Sequence, residues 1–254
     1  MKLVLNSKEF HQEYEKTAEH IVHFLIKKIR LRRASVIVDL GCGSGVLTLP
    51  LAKQLKGCEL IGIDSEKNSL QEFRKVIKNQ KISNVSIIHD DVRNIRKIPD
   101  HSVDYVVSHW LFGVIVKKSD LAKILRECYR ILKDGGVMVH SESHPVTENK
   151  SKELYKKADT FIFDTKWWNP KVVREIASEA GFQDLKIHLI DFKLKVCPQA
   201  ARDLFFDWEK MFTSFVYKKA PSGKALRFLD KYDKLVQKLG IEFPTEYILV
   251  GKKI

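Results

Sequence analysis

Hydrophobic and polar residues follow two different periods along residues 9–145, and the two periods alternate along the chain. Short apolar runs rich in β-branched residues are typical of buried parallel strands. Apolar residues spaced three to four positions apart are typical of amphipathic helices. The runs predict five strands, at 35–40, 60–63, 85–88, 103–107 and 137–140. The helical spacing predicts helices at 9–29, 46–55, 69–79 and 119–132. This alternation predicts an α/β fold, with a doubly wound, mostly parallel sheet and helices on both of its faces.

The pattern is less regular after Pro145. The polar stretch 150–157 favours an exposed segment. Further along, the sequence predicts a helix at 170–180, a sixth strand at 185–192, an aromatic-rich helical region at 198–239 and a last strand at 246–251. No repeat and no long linker divides the chain, so we expect one domain over 1–254. Its predicted parts are an N-terminal helical segment (1–33), a core (34–145), a region of added helices (146–240) and a final strand segment (241–254).

The composition suits a protein with a sizeable core, since 44% of the 254 residues are hydrophobic and 30% are charged. No run reaches the roughly 20 apolar residues that cross a bilayer. The first 16 residues are charged throughout and lack the apolar stretch of a secretory leader. We therefore expect a cytoplasmic location and no membrane partner. The cysteines are widely spaced, which favours reduced thiols over a disulfide framework or a metal site; they are Cys42, Cys58, Cys128 and Cys197.

The net charge of +13 raises the question of a nucleic-acid partner. The excess is spread along the chain, and lysines outnumber arginines by 34 to 11, whereas base-edge and bidentate phosphate recognition favours arginine. Nucleic acid is therefore the less favoured partner. One local cluster follows the first predicted helix and is either a solvated helix end or a polyanion contact; it consists of Lys27, Lys28, Arg30, Arg32 and Arg33.

Polar and glycine residues follow the first three strands, at the edge where open parallel sheets bind their ligands. The first strand ends in Asp39-Leu-Gly41-Cys-Gly43-Ser-Gly45. Glycines at such a turn let the backbone approach a ligand where a Cβ would clash. Asp64 follows the second strand and suits two ribose hydroxyl groups. Asp90-Asp91-Val92 follows the third strand and suits an adenine ring.

The segment Val38-Asp-Leu-Gly-Cys-Gly-Ser-Gly45 resembles motif I of the class I methyltransferases, which depend on S-adenosylmethionine (SAM). Residues 125–136 are similar to that family's helix and turn before strand five. The resemblance implies a Rossmann-like, seven-stranded sheet with an antiparallel last strand. It also implies SAM as cofactor and S-adenosylhomocysteine (SAH) as product. The implied cofactor residues are Asp39 near the amino group, Gly41, Cys42, Gly43 and Gly45 under the methionine part, Asp64 and Ser65 at the ribose, Asp91 and Val92 at the adenine, and Ser108 after strand four.

A nicotinamide dinucleotide is the main rival for such a loop, and its fingerprint is GxGxxG. Here the loop reads GxGxG with an acid directly before it, and Val46 and Leu47 follow in place of a third glycine. The spacing therefore favours SAM over a dinucleotide.

Fewer sequence features indicate which molecule accepts the methyl group. Strand four ends in Ser108-His109-Trp110, without the Asn-Pro-Pro-Tyr sequence of many enzymes that methylate planar nitrogens. Strand five ends in His144-Pro145, which is similar to UbiE-like methyltransferases of small molecules. An unperturbed histidine titrates near pH 6.5, so His144 and His109 are the candidate catalytic residues, with His144 favoured as base. Trp167 and Trp168 are either a substrate wall or a helix-entry contact, and the aromatic residues of 205–217 are more typical of core.

The sequence thus predicts methyl transfer from SAM to a small-molecule acceptor, with 146–240 as the acceptor-side lid. Two alternatives remain open. One is an RNA or protein methyltransferase that uses the basic surface, and the other is a SAM-binding subunit without catalysis. The oligomeric state and the methylated atom are left open as well.

Overall fold

The β-branched runs form the strands of the fold because they bury both faces of a central sheet. We describe a computed structural model, which covers residues 3–5, 7–31, 34–210 and 222–254. Its strands, in chain order, are β1 (Leu3–Leu5), β2 (Val36–Leu40), β3 (Glu59–Asp64), β4 (Val85–His89), β5 (Val103–His109), β6 (Leu132–Ser143), β7 (Gln183–Ile190), β8 (Leu194–Val196), β9 (Ile241–Glu242) and β10 (Glu246–Lys252). Seven of them form the main sheet in the order β4-β3-β2-β5-β6-β10-β7.

The strand pairing confirms the predicted fold class. β2 pairs in parallel with β3 on one side and with β5 on the other. β10 is antiparallel to both of its neighbours, β6 and β7. Because the chain order reverses at β2, the loop that follows β2 lies at the topological switch point, where open α/β sheets bind their ligands.

Helices cover both faces of this sheet, as the alternation predicts. They are α1 (Ser7–Phe24, continued by a π-helical turn at Leu25–Ile29), α2 (Thr48–Gln54), α3 (Lys67–Asn79), α4 (Lys118–Ile131), α5 (Lys150–Phe163), α6 (Pro170–Glu179), α7 (Pro198–Lys210) and α8 (Lys224–Leu239). Neighbouring residues of β2 face opposite layers: Ile37 packs in the core with α1 and α2, whereas Val38 packs in the core with α4 and α6. Each face of the sheet therefore has its own buried core.

A third core, which we call the cap, lies apart from these two layers. It joins α5, β8, α7 and α8 around Phe205, Phe228 and Phe243. β8 also pairs with β1 and β9 in a three-stranded sheet that the sequence pattern did not predict. The other elements of 146–240, α6 and β7, belong to the main sheet and its helical layer. Three aromatic residues of the predicted helical run lie outside the described residues; they are Phe212, Phe215 and Tyr217.

The prediction of an exposed segment at 150–157 is wrong. These residues form the first half of α5, whose N-cap Asn149 accepts a hydrogen bond from the backbone N–H of Lys152. The buried face of α5 consists of Ser151, Lys152, Leu154, Tyr155, Ala158 and Ile162. The pattern was missed because a lysine and a serine occupy buried positions. The Lys152 ammonium lies 3.0 Å from a Glu148 carboxylate oxygen and 3.2 Å from one of Asp191, so its charge is paired.

Asp134-Gly135-Gly136 at the end of the 125–136 segment predicts a turn before strand five, but these residues lie within β6. The register between β5 and β6 shifts there, from Val103 opposite Leu132 to Tyr105 opposite Val137. Gly135, with φ 77°, allows this irregularity.

Across the residues that the structure describes, no helix combines the length and the apolar character needed to cross a membrane. Within the same residues, no group of three or more histidine, cysteine or carboxylate side chains is arranged to hold a metal ion. All four cysteines are free thiols.

Candidate functional site

The glycine loop after β2 forms an open cradle. Gly43 has φ 51°, and a Cβ built there would meet no protein atom within 4 Å, so the backbone faces open space at this point. Gly45 has φ 95°, and a Cβ there would lie 2.3 Å from the Phe73 ring. Gly45 is therefore required by packing, whereas Gly43 leaves room for a ligand that approaches the backbone closely.

Two of the predicted cofactor residues lie beneath this cradle. Asp39 is buried, and its carboxylate accepts a hydrogen bond of 2.5 Å from the Thr48 hydroxyl group. Burial raises the pKa of Asp39 to about 7, although the Thr48 bond lowers it. The Cys42 thiol packs with Leu70 and Phe73. Both side chains support the loop from below in this structure.

Asp64, at the end of β3, ties the cradle to the next helix. One carboxylate oxygen accepts the backbone N–H of Gly43 and the other accepts that of Glu66, each at 2.8 Å. Each oxygen keeps a second lone pair for a ligand hydroxyl group. Ser65 is exposed beside it, and its carbonyl group is 3.0 Å from Nε2 of His89.

The side chains after β4, where the resemblance implies an adenine site, contact protein groups in this structure. The Asp91 carboxylate accepts hydrogen bonds from the Arg93 guanidinium through both oxygens, with the shortest contact, at Oδ2, of 2.6 Å. Hydrogen bonds from Arg93 lower the pKa of Asp91. The Val92 side chain is buried in the core. An adenine amino group that binds Asp91 would therefore compete with Arg93 for the same carboxylate.

A cavity of about 130 Å³ lies between the sheet and the cap. Its lining comes from the segment after β5, the end of β6, and the cap. The lining residues are Trp110, Gly113, Val114, Glu142, Ser143, Tyr155, Asp159, Phe163, Thr165, Lys166, Trp167 and Trp208. Of the two tryptophans that the sequence left open, Trp167 lines the cavity, whereas Trp168 is buried in the core and donates its indole N–H to the Ile115 carbonyl group.

Two carboxylates face this cavity. Glu142 is buried and accepts the backbone N–H groups of Gly113 at 2.8 Å and Ser143 at 3.2 Å. Burial raises the pKa of Glu142 to about 7; these two N–H groups lower it and repulsion from Asp159 raises it. Asp159 accepts hydrogen bonds from the Thr165 hydroxyl group and the Trp167 indole, both through Oδ2. Burial raises its pKa as well.

The two candidate histidines do not line the cavity. His109 is buried, with Nδ1 2.7 Å from the Ser141 hydroxyl oxygen and its ring against Trp110. Burial lowers the pKa of His109 to about 3, which is far from the value near 6.5 that suits a base at neutral pH. His144 is partly exposed, and its Nδ1 accepts the Val146 N–H at 3.2 Å. The hydroxyl oxygen of Ser108 lies 2.9 Å from Nδ1 of buried His140, so in this structure Ser108 contacts another strand.

The cradle and the cavity meet at the segment after β5. Leu111 lies directly against the cradle, since a Cβ at Gly41 would come within 2.7 Å of its side chain. On either side of Leu111, Trp110 and Gly113 line the cavity. The short segment from Trp110 to Gly113 therefore separates the cradle from the cavity.

Sequence reasoning missed Glu142 and Asp159. Glu142 stands two residues before His144, in a segment that the sequence singled out for its histidine. Asp159 lies one helical turn after Tyr155, so a helix over this region would have placed both on one face. The prediction of an exposed segment at 150–157 hid that signal.

Comparison with known proteins agrees with this geometry. Residues 37–136 match a family model described as a methyltransferase domain. A demethylmenaquinone methyltransferase of Geobacillus is 31% identical over 131 residues, which are 51% of this chain and 54% of that protein. A probable protein arginine N-methyltransferase 3 of Arabidopsis thaliana is 30% identical over 125 residues, 45% of this chain and 21% of that protein. The chain thus spans about half the length, or less, of these curated relatives.

Solved structures show the same fold at low identity. Phosphoethanolamine N-methyltransferase 2 of Haemonchus contortus, solved with SAM, superposes with a TM-score of 0.63 at 18% identity, over 92% of this chain and 52% of that one. The cyclase SpnF superposes with a TM-score of 0.68 at 17% identity, over 92% of this chain and 80% of that one.

The sheet order, the antiparallel last strand and the glycine loop at the switch point give the chain the Rossmann-like fold of class I methyltransferases. The match over residues 37–136 shows that this part of the chain is similar to methyltransferase domains. Over about half of its length, the chain is also similar to demethylmenaquinone methyltransferases.

Proposed function

We propose that this chain transfers a methyl group from SAM to a small-molecule acceptor. SAM binds over the cradle, and the acceptor occupies the cavity beneath the cap. The observation that carries this proposal is the position of Leu111, which lies against the cradle while its neighbours Trp110 and Gly113 line the cavity. Methyl transfer needs donor and acceptor side by side in a fixed orientation, and this arrangement supplies two adjoining spaces.

Two features of the cradle suit SAM: the open space at Gly43 and the free lone pairs of Asp64. The open space in front of Gly43 accommodates a ligand against the backbone, and Asp64 has lone pairs left for ribose hydroxyl groups. When bound, SAM supplies a methyl carbon on a sulfonium; the C–S bond breaks with its electron pair on sulfur, the acceptor atom forms the new bond, and SAH leaves. The chain binds and orients both partners.

On the acceptor side, Glu142 is the candidate proton acceptor. It is the carboxylate at the end of β6 that faces the cavity, and a pKa of about 7 suits a general base near neutral pH. His144, the base that the sequence favours, stays a prediction, and the rates of Glu142 and His144 variants distinguish the two residues.

The relatives support a small-molecule acceptor, since several of them are demethylmenaquinone methyltransferases. The fold by itself does not decide the reaction, because a cyclase shares it. The cavity volume is about 130 Å³. A cavity of this size favours a small molecule as the acceptor and disfavours the surface of a folded macromolecule. We keep a cytoplasmic location as a prediction.

Asp64→Ala should weaken SAM binding by about 1.5–3 kcal/mol, because a charged hydrogen-bond acceptor is removed. The substitution also frees the Gly43 N–H, which Asp64 holds in this structure. Calorimetric titration with SAM measures the change. Asp134→Ala is the matched control, because it removes an exposed carboxylate near the start of β6, at the opposite edge of the sheet from the cradle. An unchanged affinity in Asp64→Ala would exclude this residue from the cofactor site.

The basic surface should bind RNA and DNA weakly. Lysines dominate it, and Lys27 and Lys28 of the local cluster are exposed at the end of α1, whereas Arg32 and Arg33 lie outside the described residues. A protein that neutralises several phosphates loses affinity steeply as salt rises, with a log–log slope of about −0.9 per contact on duplex DNA. Fluorescence anisotropy with labelled RNA and DNA across a salt series checks this. Submicromolar binding near physiological salt with a steep slope would favour the nucleic-acid alternative.

The experiment that tests the proposed function is transfer of labelled methyl from SAM into fractionated cell extract. We expect label in the small-molecule fraction. Label confined to RNA or to protein would support the macromolecular alternative. Tight SAM binding without label in any fraction would support a SAM-binding subunit without catalysis.

A further inference from the structure

We propose that the cavity beneath the cap binds an alkylammonium group, so that the acceptor is an amine and the chain is an N-methyltransferase. This inference rests on the proposed function for its reaction, but the binding of the cation follows from the cavity itself. Its walls, its charges and its size each point to the same ligand.

The walls are aromatic. Five of the lining side chains are rings, namely Trp110, Tyr155, Phe163, Trp167 and Trp208. Four of them contact one another: the ring of Tyr155 lies edge-on to those of Trp208, at 5.2 Å, and Trp167, at 6.2 Å, and the Phe163 ring is tilted against Trp208 at 6.1 Å. The Trp110 ring packs instead against His109 and Phe243. The faces of such rings attract cations, and tryptophan does so most strongly. A cage of rings that is braced in this way therefore favours a quaternary or protonated amine.

The charges in the cavity are negative. Glu142 and Asp159 both face it, and among the described residues no cation pairs with either carboxylate. The lining cation, Lys166, is turned outward: its ammonium group lies 3.7 Å over the Trp168 ring and 3.3 Å from the Val116 carbonyl oxygen. Removing a carboxylate from water without pairing it with a cation costs free energy. A ligand cation bound between Glu142 and Asp159 would offset that cost.

The hydrogen bonds of Asp159 leave one oxygen for the ligand. Thr165 and Trp167 both donate to Oδ2, and no described residue donates to Oδ1. The two donors fix the carboxylate, so Oδ1 is held in place at the cavity wall. The volume, about 130 Å³, approaches the roughly 150 Å³ of a cavity that takes up benzene, which is enough for an amine head group.

The proton has a defined path in this arrangement. The bound ammonium group gives one N–H proton to the Glu142 carboxylate, which becomes a neutral acid. The lone pair released on nitrogen forms the new N–C bond to the methyl carbon, and the product leaves as an N-methylammonium ion. The Asp159 carboxylate, which takes no part in this proton transfer, holds the cation in position.

The test compares ligands that share a shape and differ in charge. The pairs are ethanolamine with propan-1-ol, and choline with 3,3-dimethylbutan-1-ol. Three of the four tryptophans of the chain line the cavity, so their fluorescence reports binding without any turnover. We expect at least one ammonium probe to bind about tenfold or more tighter than its neutral counterpart.

Asp159→Asn should remove most of that preference for the charged probe, and Phe163→Leu should reduce the preference about fivefold. Asp164→Asn, which alters an exposed carboxylate paired with Lys224 outside the cavity, should leave it unchanged.

Equal binding of the charged and neutral member in both pairs, or no binding of either ammonium probe, would overturn the inference. A parallel titration with SAH separates it from the proposed function. If SAH binds and label from SAM enters only compounds without an amine, the amine inference fails and the proposed function stands. If SAH does not bind but the charge preference is present, the proposed function fails and the cation site stands.

Discussion

Replacing Glu142 by glutamine is expected to lower kcat by about 10²-fold or more, because a positioned general base typically contributes a factor of that size. Glutamine retains the shape of the side chain and one acceptor oxygen for the Gly113 N–H, so the local backbone should be preserved. SAH affinity should be nearly unchanged, since Glu142 faces the cavity and not the cradle. The measurement is the initial rate of label transfer from SAM into the small-molecule fraction.

The pH dependence of the methyl-transfer rate distinguishes a general base from a residue that only supports the local structure, because only the base makes the rate depend on its own titration. With a pKa of about 7, Glu142 is protonated below that pH and ionised above it, so the wild-type rate should rise as pH increases through about 7. Asp159 on α5 and Glu246 on β10 are the acidic neighbours that influence this titration. The inflection should be absent in Glu142→Gln. A normal rate and pH profile in this variant, together with a large loss in His144→Ala, would restore His144 as the base.

Gly45→Ala is expected to lower the free energy of unfolding by about 2–5 kcal/mol. The new methyl group would lie 2.3 Å from the fully buried Phe73 ring, and φ 95° is strained for alanine. Overpacking of a core costs about 1–3 kcal/mol and an unfavourable φ adds about 1–2 kcal/mol. Urea titration measures the change.

Two other glycines provide matched controls. Gly43→Ala carries only the cost of its positive φ, about 1 kcal/mol, because no protein atom lies within 4 Å of the new methyl group. Gly57 has no positive φ, and a Cβ there meets only the Ala34 nitrogen at 4.0 Å, so Gly57→Ala should be close to neutral. Equal stability losses in all three variants would show that packing against Phe73 is not the cause.

The position of the glycine loop and of Asp64 at one edge of the sheet could be predicted from the sequence because the signals are local. Val36–Leu40 is a short apolar run that ends directly in the glycine loop, and Asp64 follows the next strand. Parallel strands bring their carboxyl ends to one edge, so the order of these segments determines their neighbours. Asp91 is the exception, since its contact with Arg93 depends on a side-chain conformation that spacing does not determine.

The acceptor half could not be predicted in the same way. The cavity is assembled from β5, β6, α5 and α7, which are up to about 100 residues apart in sequence. The residues that matter there are ordinary in a sequence: a glutamate in a strand, and an aspartate in a helix that begins with polar residues. Burial raises their pKa values, and burial is decided by tertiary packing. The same burial makes His109 an unsuitable base.

The most direct test of the central claim, that the cradle is the cofactor site, is calorimetric titration of SAH into the wild-type chain and into Gly43→Ala. We predict that the wild type binds one SAH per chain and that Gly43→Ala, still folded, binds it at least about tenfold more weakly, because its new methyl group fills the space in front of the backbone. Absence of SAH binding in the wild type, or equal affinity in the two proteins, would contradict the account.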